Sequence, residues 1–318
     1  MTRVNRRYLY APFLIAAILC AIWYSIWLYA AGLMRQGVAD FIRNEAEAGY
    51  EVKSSPVKVS GFPFFLRGKL SDASIRGDGF SYSAKQIFLD ALFYQPDRLI
   101  ISPSGAQTLH LGNKEWLLTT TDARASIERD KARQWIAKLQ TGRVEATHDN
   151  ERIVLANSLA NIAPDERDPA TLDISLRIVG GRIALERGDF VVDRLDASAS
   201  LVHEENDRSS LTIQGAQASV DDANIAIKGE VRPDAAGRAE GALDAVIERP
   251  TGLVSALEKA GALTPRDART ANAGVALLSA ATGGVIKAPI IFKNGEVKLA
   301  GIKIAKAPKI GGANNDQP

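Results

Sequence analysis

The spacing of apolar positions divides the chain into two parts. Residues 9–34 are apolar and carry no charged side chain. At ~1.5 Å per residue a helix of this length crosses a hydrocarbon core of ~30 Å, and a helix satisfies its own backbone in lipid. Four further apolar residues keep helical spacing before Gly49, which is typical of a helix C-terminus: Val38, Phe41, Ile42 and Ala46. The pattern predicts a transmembrane helix over 9–34 and a helical extension over 35–49.

After residue 50 the apolar period changes from about 3.6 to two, which is typical of strands with one buried face. The alternation is clearest at Leu172, Ile174, Leu176 and Ile178. Its parity shifts after Asp193-Arg194, as a β-bulge requires. Strands then follow one another with short connections over 171–248, which favours an antiparallel meander over βαβ units. We therefore predict a mainly β fold with a few helices (α+β), built on a large, bent antiparallel sheet with one apolar face.

Three helices and a closing hairpin are predicted beyond the membrane segment. The helices are expected over Arg129–Leu139, Pro250–Gly261 and from Thr264 to about Ala281. The last of these has an N-cap threonine followed by proline, a strong start signal. The hairpin is expected to join 290–292 to 297–304 through Asn294-Gly295, a preferred two-residue turn.

The predicted domain organisation has five parts. A basic tail (1–8) precedes the membrane helix and its extension, a β-rich domain occupies 50–310, and a disordered tail covers 311–318. A subdivision of the β-rich domain near 141–170 is left open.

Basic residues indicate how the helix is oriented. Arg3, Arg6 and Arg7 precede it with no acid nearby, so the N-terminus is expected to stay in the cytoplasm and the remainder to be translocated. A cleaved signal peptide is the alternative, but its apolar core would be shorter, about 7–15 residues. Tyr29 also puts a bulky residue where the cleavage site needs a small one. We therefore predict an uncleaved anchor.

Aromatic side chains mark the ends of a membrane span in many proteins, at the level of the lipid headgroups. Leu9 and Met34 bound the predicted span, and Trp27 suits the interfacial belt at its second end. Trp23 lies deeper, where the belt does not explain it.

The charge balance argues against a nucleic-acid footprint. Of 39 Lys and Arg residues three precede Met34, whereas none of the 37 Asp and Glu residues does, so the remainder of the chain carries a net charge of −1. A nucleic-acid-binding domain would need a basic surface. The single cysteine, Cys20, lies inside the membrane segment and excludes an intramolecular disulfide.

No motif predicts catalysis, a cofactor or a metal site. His110, His148 and His203 share no ligand spacing, and the common metal, P-loop, dinucleotide and nucleophile-elbow signatures do not occur. Ser55 and Lys58 match Ser-x-x-Lys, but strand alternation would point their side chains to opposite faces. We therefore expect a protein that is not an enzyme and has no cofactor.

One segment stands out after the helix, with three phenylalanines in four residues interrupted by a proline. It comprises Gly61, Phe62, Pro63, Phe64, Phe65 and Leu66. Proline removes a ladder donor, so a kinked edge strand is predicted. Its rings either close the membrane-near end of the core or line an apolar groove open to lipid.

A membrane anchor followed by Gly-Phe-Pro-Phe resembles the uncharacterised bacterial family called domain of unknown function 2125. The hairpin around Lys293-Asn294-Gly295 and the later Ala307-Pro308 resemble the end of that family's pattern. The position after Gly-Phe-Pro-Phe is often arginine in that family, whereas here it is Phe65, with Arg67 two residues later.

The segments 225–231 and 237–245 are also similar, in part, to the strand-turn-strand repeat of AsmA-like envelope proteins. That resemblance implies an inner-membrane anchor, a periplasmic sheet whose apolar side accepts lipid chains, and a role in envelope lipid handling. Two hypotheses follow: a lipid-binding module, whose partner is membrane lipid, or a scaffold that binds envelope proteins.

Overall fold

The computed structural model describes residues 7–92, 94–129, 134–165, 167–168, 170–186, 188–203, 209–299 and 301–310. Within these residues the chain forms three helices and eighteen strands, and it is mainly antiparallel β. It divides into two compact units, Met1–Glu115 with Ser126–Glu128, and Trp116–Ala125 with Arg129–Pro318. The predicted fold class is confirmed. The division lies upstream of the 141–170 segment considered from the sequence.

The first unit contains a long helix and the first five strands. Their bounds are α1 Arg7–Glu47, β1 Glu51–Lys53, β2 Lys58–Ser60, β3 Leu66–Gly77, β4 Phe80–Leu92 and β5 Gln95–Leu111. Strand β3 pairs with both β1 and β2, which meet its opposite ends, and β4 joins β3 to β5. All of these pairings are antiparallel.

Helix α1 joins the apolar segment to its extension without a break. It ends at Glu47, and Gly49 follows in a left-handed conformation (φ 89°), which suits a residue without Cβ. The predicted extension to Gly49 is therefore confirmed. Helix α1 is long and apolar enough to cross a membrane. Arg3 and Arg6, on which the predicted orientation depends, lie outside the described residues.

The second unit holds most of the sheet and two helices. Two short strands, β6 Lys114–Thr120 and β7 Arg124–Arg129, contain the division between the units. The remaining elements are β8 Trp135–Thr141, β9 Val144–His148, β10 Glu151–Pro164, β11 Thr171–Leu185, β12 Gly188–His203, β13 Ser209–Val220, β14 Ala223–Pro233, β15 Ala239–Glu248, α2 Pro250–Lys259, α3 Pro265–Thr282, β16 Val285–Lys293, β17 Glu296–Leu299 and β18 Ile302–Lys306.

From β10 to β18 each strand pairs antiparallel with the next one in the chain, as the meander prediction requires. Strands β8 and β9 pair with different stretches of β10. The register between β12 and β13 shifts between Val192 and Arg194, which confirms the predicted bulge at Asp193. Asn294 and Gly295 have φ of 54° and 73°, which confirms the predicted hairpin turn.

Helices α2 and α3 lie where the capping and spacing patterns predict them. The Thr264 hydroxyl accepts a hydrogen bond from the Asp267 amide at 3.2 Å, and Gly283 follows α3 in a left-handed conformation. The two helices bury an apolar cluster between them, formed by Val254, Leu263, Ala268 and Ala271.

Three local predictions are wrong. Trp135–Thr141 is strand β8 and not part of a helix, and residues 130–133 lie outside the described chain. The second arm of the closing hairpin, predicted as one strand, is two antiparallel strands, β17 and β18. Residues 61–65 form the turn between β2 and β3, not an edge strand. The predicted disordered tail, 311–318, lies outside the described residues.

Candidate functional site

The register of the second unit aligns its apolar residues across the sheet. Directly opposed residues of neighbouring strands share a face, so rows of paired residues can be followed from strand to strand. The longest row runs over β11 to β17 through Leu172, Leu201, Leu211, Val231, Gly241, Phe292 and Val297. Every side chain in it is apolar, and Gly241 adds none.

Three further rows lie on the same face, which we call the apolar face. One contains Ile174, Ala199, Ile213, Gly229, Leu243 and Ile290; the next contains Leu176, Ala197, Ala216, Ile227, Ala245 and Ala288; the last contains Ile178, Leu195, Ala218, Ile225, Ile247 and Ile286. No charged side chain occurs in these four rows. The alternation recognised in single strands is therefore continuous across seven of them.

Burial is unequal along the apolar face. At the β15 side Leu243 is 5 % exposed and Ala245 and Ile247 are buried as well. On β11 Leu172 is 37 % exposed, and on β10 Ile162, which pairs with Ile174, is 43 % exposed. The face is thus covered over β15 and β16 and partly open over β10 to β13.

The opposite face of the same strands carries polar and charged residues that hydrogen-bond to one another, together with the exposed apolar side chains Val179 and Ile291. The Ser200 hydroxyl donates to Asp173 at 2.6 Å and accepts from the Gln214 amide at 2.6 Å. Arg194 and Arg177 both contact Asp196, and their guanidinium groups hold the pKa of that carboxyl below its usual range. The two faces therefore differ in chemistry.

Helix α2 contacts the ends of the strands. A Cβ at Gly252 would lie 3.0 Å from the backbone nitrogen of Ala223, in the turn that begins β14. Lys259, in the last turn of α2, pairs with Asp221 of the same hairpin at 3.3 Å. These contacts place α2 at the hairpin ends rather than across the middle of the apolar face.

The phenylalanine-rich turn lies against helix α1, within the first unit. The indole Nε1–H of Trp23 donates to the carbonyl oxygen of Pro63 at 3.0 Å, and that of Trp27 donates to the carbonyl oxygen of Phe65 at 3.0 Å. The Phe62 ring packs edge-on against Trp27 and Tyr24, with ring centroids 5.8 and 5.3 Å apart. Trp23 and Trp27, which lie one helical turn apart, thus both donate hydrogen bonds to the segment between β2 and β3.

The members of the turn differ in burial. Leu66, the first residue of β3, is buried with Trp27 and Ala31. Phe62 is 46 % exposed and Phe64 is 71 % exposed, although both are large apolar side chains. Together with Trp23 and its neighbours on α1 they line an open apolar groove of about 520 Å³: Leu19, Cys20, Ile22, Trp23, Phe62, Pro63 and Phe64.

Sequence reasoning singled out this segment but predicted an edge strand and missed its partners on α1. The available signal was Trp23, an indole N–H donor placed deep in an apolar segment where lipid offers no acceptor. The remaining residues singled out for chemistry lie elsewhere. The Ser55 hydroxyl accepts a hydrogen bond from the Ser71 amide at 2.8 Å. His110 lies 3.9 Å from Glu115, and the His148 ring packs at a tilt against the Trp116 ring. The side chain of His203 lies outside the described residues.

A family model described as an uncharacterised protein conserved in bacteria, DUF2125, matches residues 27–308. The chain belongs to the DUF2125 family. The match includes Trp27, the turn, the whole meander and the closing strands, so the resemblance noted from Gly-Phe-Pro-Phe is confirmed for this family. No curated protein and no solved structure matches the chain significantly. The similarity to AsmA-like proteins is not supported by these comparisons.

Proposed function

We propose that this DUF2125 protein is a membrane-anchored, non-enzymatic lipid-binding protein of the bacterial inner membrane. In this proposal α1 is the single membrane span, the β-rich body lies in the periplasm, and the open part of the apolar face receives an acyl chain. The observation that supports it best is the continuity of the four apolar rows, which stay partly exposed over β11 to β13.

The size and chemistry of this surface suit a hydrocarbon chain. Three of the four rows place alanines beside branched side chains, as with Leu176 beside Ala197, and none of the four contains a charged residue. Burying each CH₂ of an acyl chain there is worth about 0.8 kcal/mol. A chain that contacts several rows would thereby be shielded from water over part of its length.

The polar residues of the opposite face support the assignment of lipid binding to the apolar face. Several carboxylates and hydroxyls of the opposite face are paired within the sheet, as with Ser200 and Asp173. The apolar side chains across the strands have no such internal partner where they are exposed.

A photoactivatable phospholipid with a diazirine near the end of its acyl chain tests the binding face. The full-length protein in nanodiscs is illuminated, and crosslinked peptides are mapped by mass spectrometry. We expect crosslinks on the apolar face within Leu172–Leu201, in addition to those on α1 from surrounding lipid. Crosslinks confined to α1 would overturn lipid binding by the sheet and favour a scaffold that binds envelope proteins.

A pair of neighbouring substitutions supplies the matched control. Leu176→Gln places a polar group in the middle of the apolar face, whereas Ser175→Gln changes the opposite face of the same strand. We expect the first to reduce crosslinking to the sheet and the second to leave it unchanged. Equal crosslinking in both variants would contradict the assigned face.

The anchor itself is tested by fractionation. Carbonate extraction of membranes should leave the protein in the pellet, and the intact mass of the purified chain should include residues before 30. Recovery from the aqueous fraction, or a mature N-terminus beyond residue 30, would overturn the anchored arrangement.

A further inference from the structure

The turn between β2 and β3 meets the apolar segment of α1 and not its polar extension. Trp23 lies eleven residues before Met34 in the chain, roughly 16 Å along the helix axis. Leu19 and Cys20, which also line the groove, lie further still from that end. If α1 spans a bilayer, as the proposed function states, these positions lie within or beside hydrocarbon, and the turn lies there with them.

Backbone outside a helix is costly in lipid, because hydrocarbon satisfies no N–H or C=O group. In this turn several of those groups are already satisfied. Gly61 accepts hydrogen bonds from the amides of Phe64 and Phe65 at 3.2 and 3.1 Å, and proline at 63 has no amide hydrogen. The carbonyl groups of Pro63 and Phe65 accept from the two indoles of α1.

The side chains of the turn complete this arrangement. Phe64 points its ring away from the core, and no polar side chain occurs between Gly61 and Leu66. The first charge after the turn is Arg67, whose guanidinium lies 5.6 Å from the Phe65 ring centroid and pairs with Asp90 at 2.6 Å. Apolar surface therefore gives way to an ion pair within two residues, as expected across a membrane–water boundary.

We infer that the Phe62-Pro63-Phe64 tip inserts into the bilayer beside α1, as a second, non-spanning membrane contact. The groove between the tip and α1 is occupied by acyl chains of the leaflet on the side of the β-rich body. The groove is continuous with the surface of the membrane helix, so the lipid that surrounds α1 also reaches it. The tip fixes the depth and rotation of the helix by adding a lateral point of attachment.

Site-directed spin labelling of the full-length chain in nanodiscs tests this insertion. In a Cys20→Ser background, which removes the natural thiol, a nitroxide is attached at Phe64→Cys. Power saturation then compares its accessibility to oxygen, which concentrates in lipid, with its accessibility to a water-soluble nickel chelate. We expect at least a several-fold preference for oxygen.

Two further labels make the result decisive. Leu277→Cys, at an exposed apolar position of α3 in the second unit, is the aqueous control and should favour the nickel chelate. Ile15→Cys, within the apolar segment of α1, reports on the anchor and should favour oxygen. If the label at Phe64→Cys is as accessible to nickel as the label at Leu277→Cys, while the label at Ile15→Cys favours oxygen, the proposed insertion of the tip is wrong. The proposed membrane anchor is then still supported. If Ile15→Cys is also open to nickel, the anchor fails too.

An aromatic substitution at Trp23 separates insertion from simple packing. Trp23→Phe keeps an aromatic ring but removes the N–H that satisfies the Pro63 carbonyl. In lipid this leaves an unpaired carbonyl, so the label at position 64 should lose part of its oxygen preference and gain mobility. In water the carbonyl would bind solvent instead, and an unchanged label would contradict the inserted position.

Discussion

The two units bury apolar surface in different ways. In the first unit the core requires helix α1: Trp27 and Ala31 pack on Leu66, and Val38 packs beside Leu70. In the second unit Leu243 and Ile247 are buried within the sheet, and α2 and α3 bury a separate cluster. The helix is therefore a structural part of the first unit, whereas the second unit has buried clusters of its own.

This difference changes how the protein should be handled. Removing an N-terminal helix is a common route to a soluble domain, but here it would expose Leu66 and the residues packed around it. The open apolar face, in contrast, belongs to the second unit, which does not contain α1. Each prediction below tests one side of this contrast.

The largest effect is expected at Trp27. Trp27→Ala removes a buried indole and its hydrogen bond to Phe65, which should cost roughly 3–5 kcal/mol. Hydrogen exchange in nanodiscs should rise in β3 and β4 and stay unchanged in β14 to β16. Tyr29→Ala, at an exposed position of the same helix, is the control and should change neither region. An equal increase of the hydrogen-exchange rate in both units would contradict the separation of their cores.

Leu243→Ala should destabilise the second unit and leave the first unit unchanged. It leaves a cavity in the buried part of the apolar face and should cost about 2–5 kcal/mol, with faster exchange confined to the second unit. Ile291→Ala, an exposed position on the adjacent strand β16, provides the comparison and should have little effect. Faster exchange in β3 after Leu243→Ala would mean that the two cores are coupled.

A smaller effect is expected at the start of α3. Thr264→Ala removes the acceptor for the Asp267 amide and should lower stability by ~1 kcal/mol, measured as faster exchange in the first turn of α3. Thr264→Ser retains the hydroxyl and should behave like the unmodified chain. A full effect from the serine variant would show that the methyl group, and not the cap, matters.

The smallest effect is expected from acid, in the turn between β14 and β15. The Asp234 carboxylate accepts hydrogen bonds from the Arg238 amide at 2.9 Å and the Arg238 guanidinium at 2.9 Å, which hold the pKa of Asp234 below its usual range. A lowered pKa means that the carboxylate stabilises the folded state above the ordinary aspartate pKa and loses this contribution as pH falls through the folded value.

Thermal unfolding of the intact chain and of Asp234→Asn, followed from pH 6 downward, measures this contribution. The difference between the two melting temperatures should shrink on acidification. A difference that is constant over the whole range would assign the effect of the substitution to packing instead of charge.

Local patterns predicted most of the fold because most of it is determined locally. The N-cap at Thr264, the turn at Asn294-Gly295 and the bulge at Asp193 are each encoded within a few residues, and the alternation of Leu172 to Ile178 persists over a whole strand. Sheet membership is not local. Trp135, Ile136 and Leu139 fit helical spacing, but Leu139 pairs with Ala160 of β10, and that distant partner decides the structure.

The candidate sites show the same limit. The apolar face could be predicted as a property of single strands, but its four continuous rows depend on a register that no single strand encodes. The turn at Phe62 was recognisable by composition, whereas its position follows from hydrogen bonds that span 38 and 40 residues. Only contacts between distant parts of the chain reveal why Trp23 lies deep in the apolar segment.

The close approach of α1 to β3 depends on two small residues. Ala31 is fully buried, and a Cβ at Gly68 would lie 3.0 Å from the sulfur of Met34 and 3.1 Å from Val57. A methyl group added at Gly68 would require the Met34 sulfur and the Val57 side chain to move by a few tenths of an ångström. The smallest side chains at this contact thereby set how closely the proposed membrane span approaches the sheet.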